Sequence, residues 1–173
     1  MGGTPHRTVV ARVRYDPRMN EHSDNPRVRI PPPVFYAVAI LFGWLLDRGW
    51  PLPVGGGASR VVTAWLLIAA WALLMVSSVG LFWRRHTSML PIRPATALVI
   101  AGPYRFTRNP MYVGMALLSV ACGLLLNTSW PMLLLVPALM AVQRYVVLRE
   151  EAYLRRRFGA EYEEYTRRVR RWM

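Results

Sequence analysis

The sequence predicts an all-α polytopic membrane protein. About four transmembrane helices are expected, including a helical hairpin in the C-terminal half, with further helices at the cytoplasmic interface. Three observations carry that prediction. Apolar residues make up 54% of a 173-residue chain and gather in blocks long enough to consider as bilayer spans. The formal net charge is +13, and most of the arginines that carry it flank those blocks. Finally, Asn127-Thr128-Ser129-Trp130-Pro131 joins two blocks through so short a joint that their helices must fold back antiparallel.

The elements follow in order. Residues 1–30 carry six arginines, three acids and several loop formers, and read as a flexible cytoplasmic tail. No apolar h-region of a signal peptide follows them closely. Pro31-Pro32-Pro33 opens the first span, which reaches across only if Ile30 to Trp50 is counted. The loop 51–59 is turn-rich, and its three glycines have neither the preceding strand nor the spacing of a dinucleotide fingerprint. Val61 to Trp83 is the clearest span, with 23 uncharged residues. A polar connector, 84–110, contains an apolar patch, Ala95 to Ala101, too short to cross. Met111 to Leu126 and Met132 to Leu148 are the third and fourth spans, and Pro137 is expected to kink the last. Beyond it come two helical pieces broken at Phe158-Gly159. In the second, Tyr162, Tyr165, Val169 and Trp172 form a stripe, read as an interfacial face or as a lid over a cytoplasmic pocket. Residues 31–173 thus form one integral membrane domain.

Arginine counts set the expected topology. The tail has six, the connector five and the chain from Arg149 onward eight, against two in 47–60 and none in 127–131. Both termini and the connector are therefore expected in the cytoplasm. All 22 basic residues are arginine, and this usage in a compact chain points to a bacterial inner membrane. Membrane lipids are the expected partners. No nucleic-acid motif accompanies the charge, so nucleic acid is not. Cys122 stands alone, which excludes an intrachain disulfide, and the three scattered histidines have no metal-ligand spacing, so no metal is expected.

The hairpin brings Arg108 to Tyr112 and Gln143 to Glu151 to one membrane face. Arg108, Asn109, Tyr104, Tyr112, Arg144, Glu150 and Glu151 are then within reach of one another. Simpler readings exist for each: Arg108 snorkelling to headgroups, Asn109 an N-cap, Pro110 a first-turn residue, the tyrosines interfacial anchors. Arg144 sits inside an apolar block, where an ionisable residue points to function. Adjacent glutamates diverge by about 100° on a helix, so only one of Glu150 and Glu151 can face a given ligand group and the other is expected to pair with arginine.

"LVIAGPYRFTRNPMYVG", followed after one hairpin by "EEAYLRRRFGAEYEEYTRRVRR", resembles the isoprenylcysteine carboxyl methyltransferase family and its phospholipid methyltransferase relatives. The resemblance covers residues 96–171 and makes 84–173 the catalytic core. It implies an integral membrane enzyme that transfers methyl from S-adenosyl-L-methionine to a lipophilic acceptor at the cytoplasmic face. The acceptor class it implies is an isoprenoid or prenylcysteine-type carboxylate or a related lipid. Carried over by position, cofactor contacts fall at Thr96, Ala97, Leu98, Val99, Tyr104, Asn109, Pro110, Met111, Tyr112, Glu150 and Glu151. Positioning roles fall to Arg108, Asn109 and Arg144. The family often has histidine where Thr96 and Asn109 stand, so no imidazole base is implied here. The family's substrate-linked arginine falls at Val146. Two rival classes stand beside this one: an NADPH-dependent membrane reductase of related architecture, and a non-enzymatic lipid-binding membrane protein.

Overall fold

The computed structural model describes residues 30–84 and 97–172, and among them it is all helical. The tail and Thr96 lie outside the described residues, apart from Ile30. Helix α1 spans Pro32–Gly49, α2 Gly57–Arg84, α3 Pro110–Leu125 and α4 Trp130–Val142. A 3₁₀ turn, Gly102–Arg105, precedes α3. A π turn, Gln143–Val147, joins α4 to α5, Leu148–Phe158, and α6 runs Ala160–Arg168. Prolines open α1, α3 and α4, where the missing N–H costs nothing and φ is already helical.

Among the described residues, two helices are long and apolar enough to cross a bilayer: α2, and the continuous helix Trp130–Phe158 made by α4, the π turn and α5. Helix α3, with 16 residues, is a shorter apolar helix. Only 6% of the apolar window of α2 is buried, and Trp65, Leu66, Leu73 and Val76 project outward. An exposed face this apolar is at home in lipid, not water.

Helix α3 packs against α2, α4 and α1, while α1 packs mainly on α4. Small residues allow the close approaches. A Cβ on Gly43 would lie 2.8 Å from the Pro131 nitrogen, and one on Gly114 would lie 3.4 Å from the Trp71 ring. Tyr36, Val142, Val146 and Val147 form the core where α1 meets the π turn, with Tyr112 and Trp172 packed against it.

The α1–α2 loop and the α3–α4 turn share one end of the bundle. Ser129 N donates to Leu52 O at 2.8 Å, the Trp130 indole to Trp50 O at 2.8 Å, and Gly55 N to the Asn127 side chain at 3.2 Å. Arg60 donates to the carbonyls of Leu124 and Leu125 and so caps the C-terminus of α3. The opposite end holds the 3₁₀ turn, the start of α3 and α5.

Two expectations need correction. The first C-terminal piece is not separate, because the fourth helix runs on through the π turn to Phe158. Pro137 lies inside α4, and the departure from α geometry comes later, at 143–147. The aromatic stripe is not carried by a single helix either. Helix α6 ends at Arg168, Val169 is extended, and Tyr162, Tyr165 and Val169 pack inward on Phe158, Leu98 and Ile100. Gly159 makes the corner between α5 and α6 with φ +50, a conformation that favours glycine.

Candidate active site at the α3–α5 junction

The start of α3 is held by the C-terminal segment. Arg108 N donates to Arg170 O at 3.0 Å, and the Thr107 hydroxyl to Arg171 O at 3.1 Å. Asn109 sits at the N-cap position of α3, but its side chain does not cap. The amide donates to Arg171 O at 3.0 Å instead, while Asn109 N donates to the Thr107 hydroxyl at 3.2 Å. Residues 169–172 thus form a strap across residues 107–109.

Two glutamates on α5 divide the work. Glu151 is buried and lies between two guanidinium groups. Arg108 Nη1 is 2.9 Å from Oε1, Arg171 Nε 2.8 Å from Oε1, and Arg171 Nη2 2.8 Å from Oε2. Glu150 points elsewhere and accepts the Tyr112 hydroxyl at 2.8 Å. Of the two diverging glutamates, one is expected to pair with arginine, and Glu151 does. Arg108 is not a snorkelling surface residue, since its side chain is only 13% exposed.

Tyr104, on the 3₁₀ turn, is buried edge-on against Phe82 of α2, with ring centroids 5.8 Å apart. Its carbonyl accepts the Tyr165 hydroxyl at 2.7 Å, which fixes α6 to the turn. Burial pushes the Tyr104 hydroxyl above its ordinary pKa, and the charge of Glu150 adds to that, so the phenol keeps its proton and remains a donor. Burial holds the Tyr165 hydroxyl high in the same way.

Tyr104, Arg108, Asn109, Tyr112, Glu150 and Glu151 therefore gather at one junction. Pro110 is fully buried at the first position of α3, with Met111 half-buried beside it. Leu98 packs under the α5–α6 corner, and Val99 is buried next to it; Ala97 begins this segment. Arg144 does not join them. It lies on an outer groove between α3 and α4.

Sequence reasoning missed Thr107 and Arg171, and it placed Gln143 at this face without its partner, the Trp172 indole, which donates to it at 2.9 Å. Thr107 had a local signal, a hydroxyl two residues before the amide it accepts from. Arg171 had none, being one arginine in a run.

A family model described as phospholipid methyltransferase matches residues 59–161. The chain belongs to the phospholipid methyltransferase family. This is a family of membrane methyltransferases, in the same group as the isoprenylcysteine carboxyl methyltransferases. The match takes in α2, α3, α4, α5 and the junction, and stops within α6. An "Uncharacterized protein" of Haemophilus influenzae is 35% identical over 63 residues, 36% of this chain and 100% of that protein. No solved structure matches.

Proposed function

We propose that this phospholipid methyltransferase family member transfers the methyl group of S-adenosylmethionine to a lipophilic acceptor. The transfer would take place at the cytoplasmic face of a bacterial inner membrane. In this reading the chain crosses the bilayer four times, with both termini and the α3–α5 junction on that face.

The observation that carries the proposal is the junction's unmatched pair of polar groups. Glu150 accepts one hydrogen bond, from Tyr112, and a carboxylate can accept several. Arg108 Nε is buried without a partner. An acceptor on Glu150 and a donor on Arg108, both carried at one junction, suit a zwitterion, and the amino-acid end of the cofactor is one. Glu150 would take its ammonium or a ribose hydroxyl, and Arg108 its carboxylate, while Tyr104 offers a protonated phenol. The bound cofactor supplies an already activated methyl group. The chain's own residues position the reactants and exclude water, and no residue need act as a base for a carboxylate acceptor.

Calorimetric titration of the detergent-purified chain with S-adenosylhomocysteine, run beside NADPH, tests this. Binding of the first, lost in Glu150→Gln, supports the proposal. Binding of NADPH alone places the site in a reductase class and overturns it.

A further inference from the structure

A groove of about 950 Å³ runs along the outer side of α3 and α4. Its walls are apolar, with Leu117 and Val120 from α3 facing Leu135 and Met140 from α4. Its volume lies within the range of small-ligand sites, roughly 300–1,000 Å³. Any surface furrow in a bilayer fills with hydrocarbon, so the walls alone assign nothing. The end of the furrow does. There the π turn presents Gln143 and Arg144, and Trp172 of the strap lies beside them.

No carboxylate among the described residues pairs with Arg144. Of the nearest acids along the helix, Glu151 is held by Arg108 and Arg171, and Glu150 bonds Tyr112 rather than Arg144. An arginine at the end of an apolar channel is stabilised by an anion brought to it. π turns are also frequent at functional sites. The Trp172 indole donates to the Gln143 side-chain oxygen and leaves the amide nitrogen as a second donor at that end.

The furrow's lining residues Val113 and Trp172 are next in the chain to Tyr112 and Arg171 of the junction. Arg144 and Glu150 are six residues apart on one continuous helix, about 9 Å along its axis at 1.5 Å per residue.

We propose that this groove holds a single hydrocarbon chain ending in an anionic head, a carboxylate or a phosphate, whose oxygens pair with Arg144. Its role as the acceptor site rests on the methyltransferase reading above; its occupancy does not.

The test uses the full chain in phosphatidylcholine nanodiscs. Two probes carry a diazirine at mid-chain, one a palmitic acid and the other a hexadecyl phosphate. After irradiation, adducts are mapped by mass spectrometry. They are expected on Leu117, Leu135 and Met140. Unlabelled palmitate or hexadecyl phosphate should compete, and hexadecanol should not. Labelling by either head supports the groove and identifies the head it takes. Arg144→Gln should cut labelling about tenfold, the effect of about 1.4 kcal/mol, while Arg144→Lys retains most of it. Both variants should unfold at the wild-type temperature. Adducts spread evenly over Leu66 and Leu73 of α2, equal competition by hexadecanol, or unchanged labelling in Arg144→Gln would each overturn the proposal. So would a second copy of the chain found cross-linked into the groove. S-adenosylhomocysteine titration of the wild type in the same discs reports on the methyltransferase reading separately.

Discussion

Arg171 grips Glu151 with two prongs, Nε on one carboxylate oxygen and Nη2 on the other, each at 2.8 Å. Those two bonds anchor the C-terminal strap to the helix that carries Glu150. Arg108 meets the same carboxylate from the start of α3. One buried charge therefore ties together three segments far apart in sequence.

Removing that charge is expected to cost more than removing either arginine. In Glu151→Gln both guanidinium groups lose their counter-charge, and Arg108 is left buried. Breaking a buried pair by removing one partner typically costs about 3–5 kcal/mol. Arg171→Ala leaves the Arg108–Glu151 pair intact, and its side chain is 33% exposed, so solvent screens part of its contribution. Thermal unfolding in detergent should rank the variants with Glu151→Gln clearly the less stable. Equal midpoints would show that the strap and not the charge holds the junction.

Deleting residues 169–173 tests the strap directly. Arg108 N would lose its acceptor at Arg170, and the Thr107 hydroxyl and Asn109 amide theirs at Arg171. Hydrogen exchange at the Arg108 amide should then accelerate by an order of magnitude or more, while amides in the middle of α3 stay protected. An unchanged Arg108 amide would mean that the segment is ordered without the strap.

Much of this junction is visible in the sequence, for identifiable reasons. Apolar blocks opened by Pro32, Pro110 and Pro131 mark where the helices start, and the five-residue joint fixes the hairpin. The hairpin in turn sets Tyr112 opposite Glu150. Two features escape because no local signal carries them. Polarity changes abruptly at Leu148-Arg149, yet no glycine or proline stands between 138 and 158, so the helix has no reason to stop there. Val169 to Trp172 leave the helix without a breaker of their own. Long-range bonds to residues 107–109 draw them out, and such partners cannot be picked from a run of arginines.

Glu150 and Tyr112 make separable predictions. Hydrogen bonds to charged groups contribute about 1.5–3 kcal/mol, so Glu150→Gln should weaken S-adenosylhomocysteine binding by roughly 10- to 100-fold. Tyr112→Phe leaves the carboxylate in place and free of its internal partner. The expected loss is below roughly tenfold, because the carboxylate that binds is kept. Calorimetry on both variants checks the order. A larger loss in Tyr112→Phe would assign ligand recognition to the phenol.

The packing of α1 on α4 gives the last prediction. A methyl group at Gly43 would lie 2.8 Å from the Pro131 nitrogen and 3.0 Å from the Trp130 carbonyl carbon, both backbone atoms that cannot rotate away. Gly43→Ala must therefore push α1 off the start of α4, at a cost of about 1–3 kcal/mol for overpacking. Displacing α1 also moves Tyr36, whose hydroxyl donates to Tyr112 O at 3.2 Å, so ligand affinity at Glu150 should fall along with stability. Gly80, on α2, is the control: nothing lies within 4 Å of a Cβ there. Gly80→Ala should be neutral or stabilising by up to about 1 kcal/mol, from helix propensity alone. Unfolding midpoints and S-adenosylhomocysteine titrations on the pair check both. If Gly43→Ala matches Gly80→Ala in each, α1 does not press on α4 as closely as the backbone contacts require.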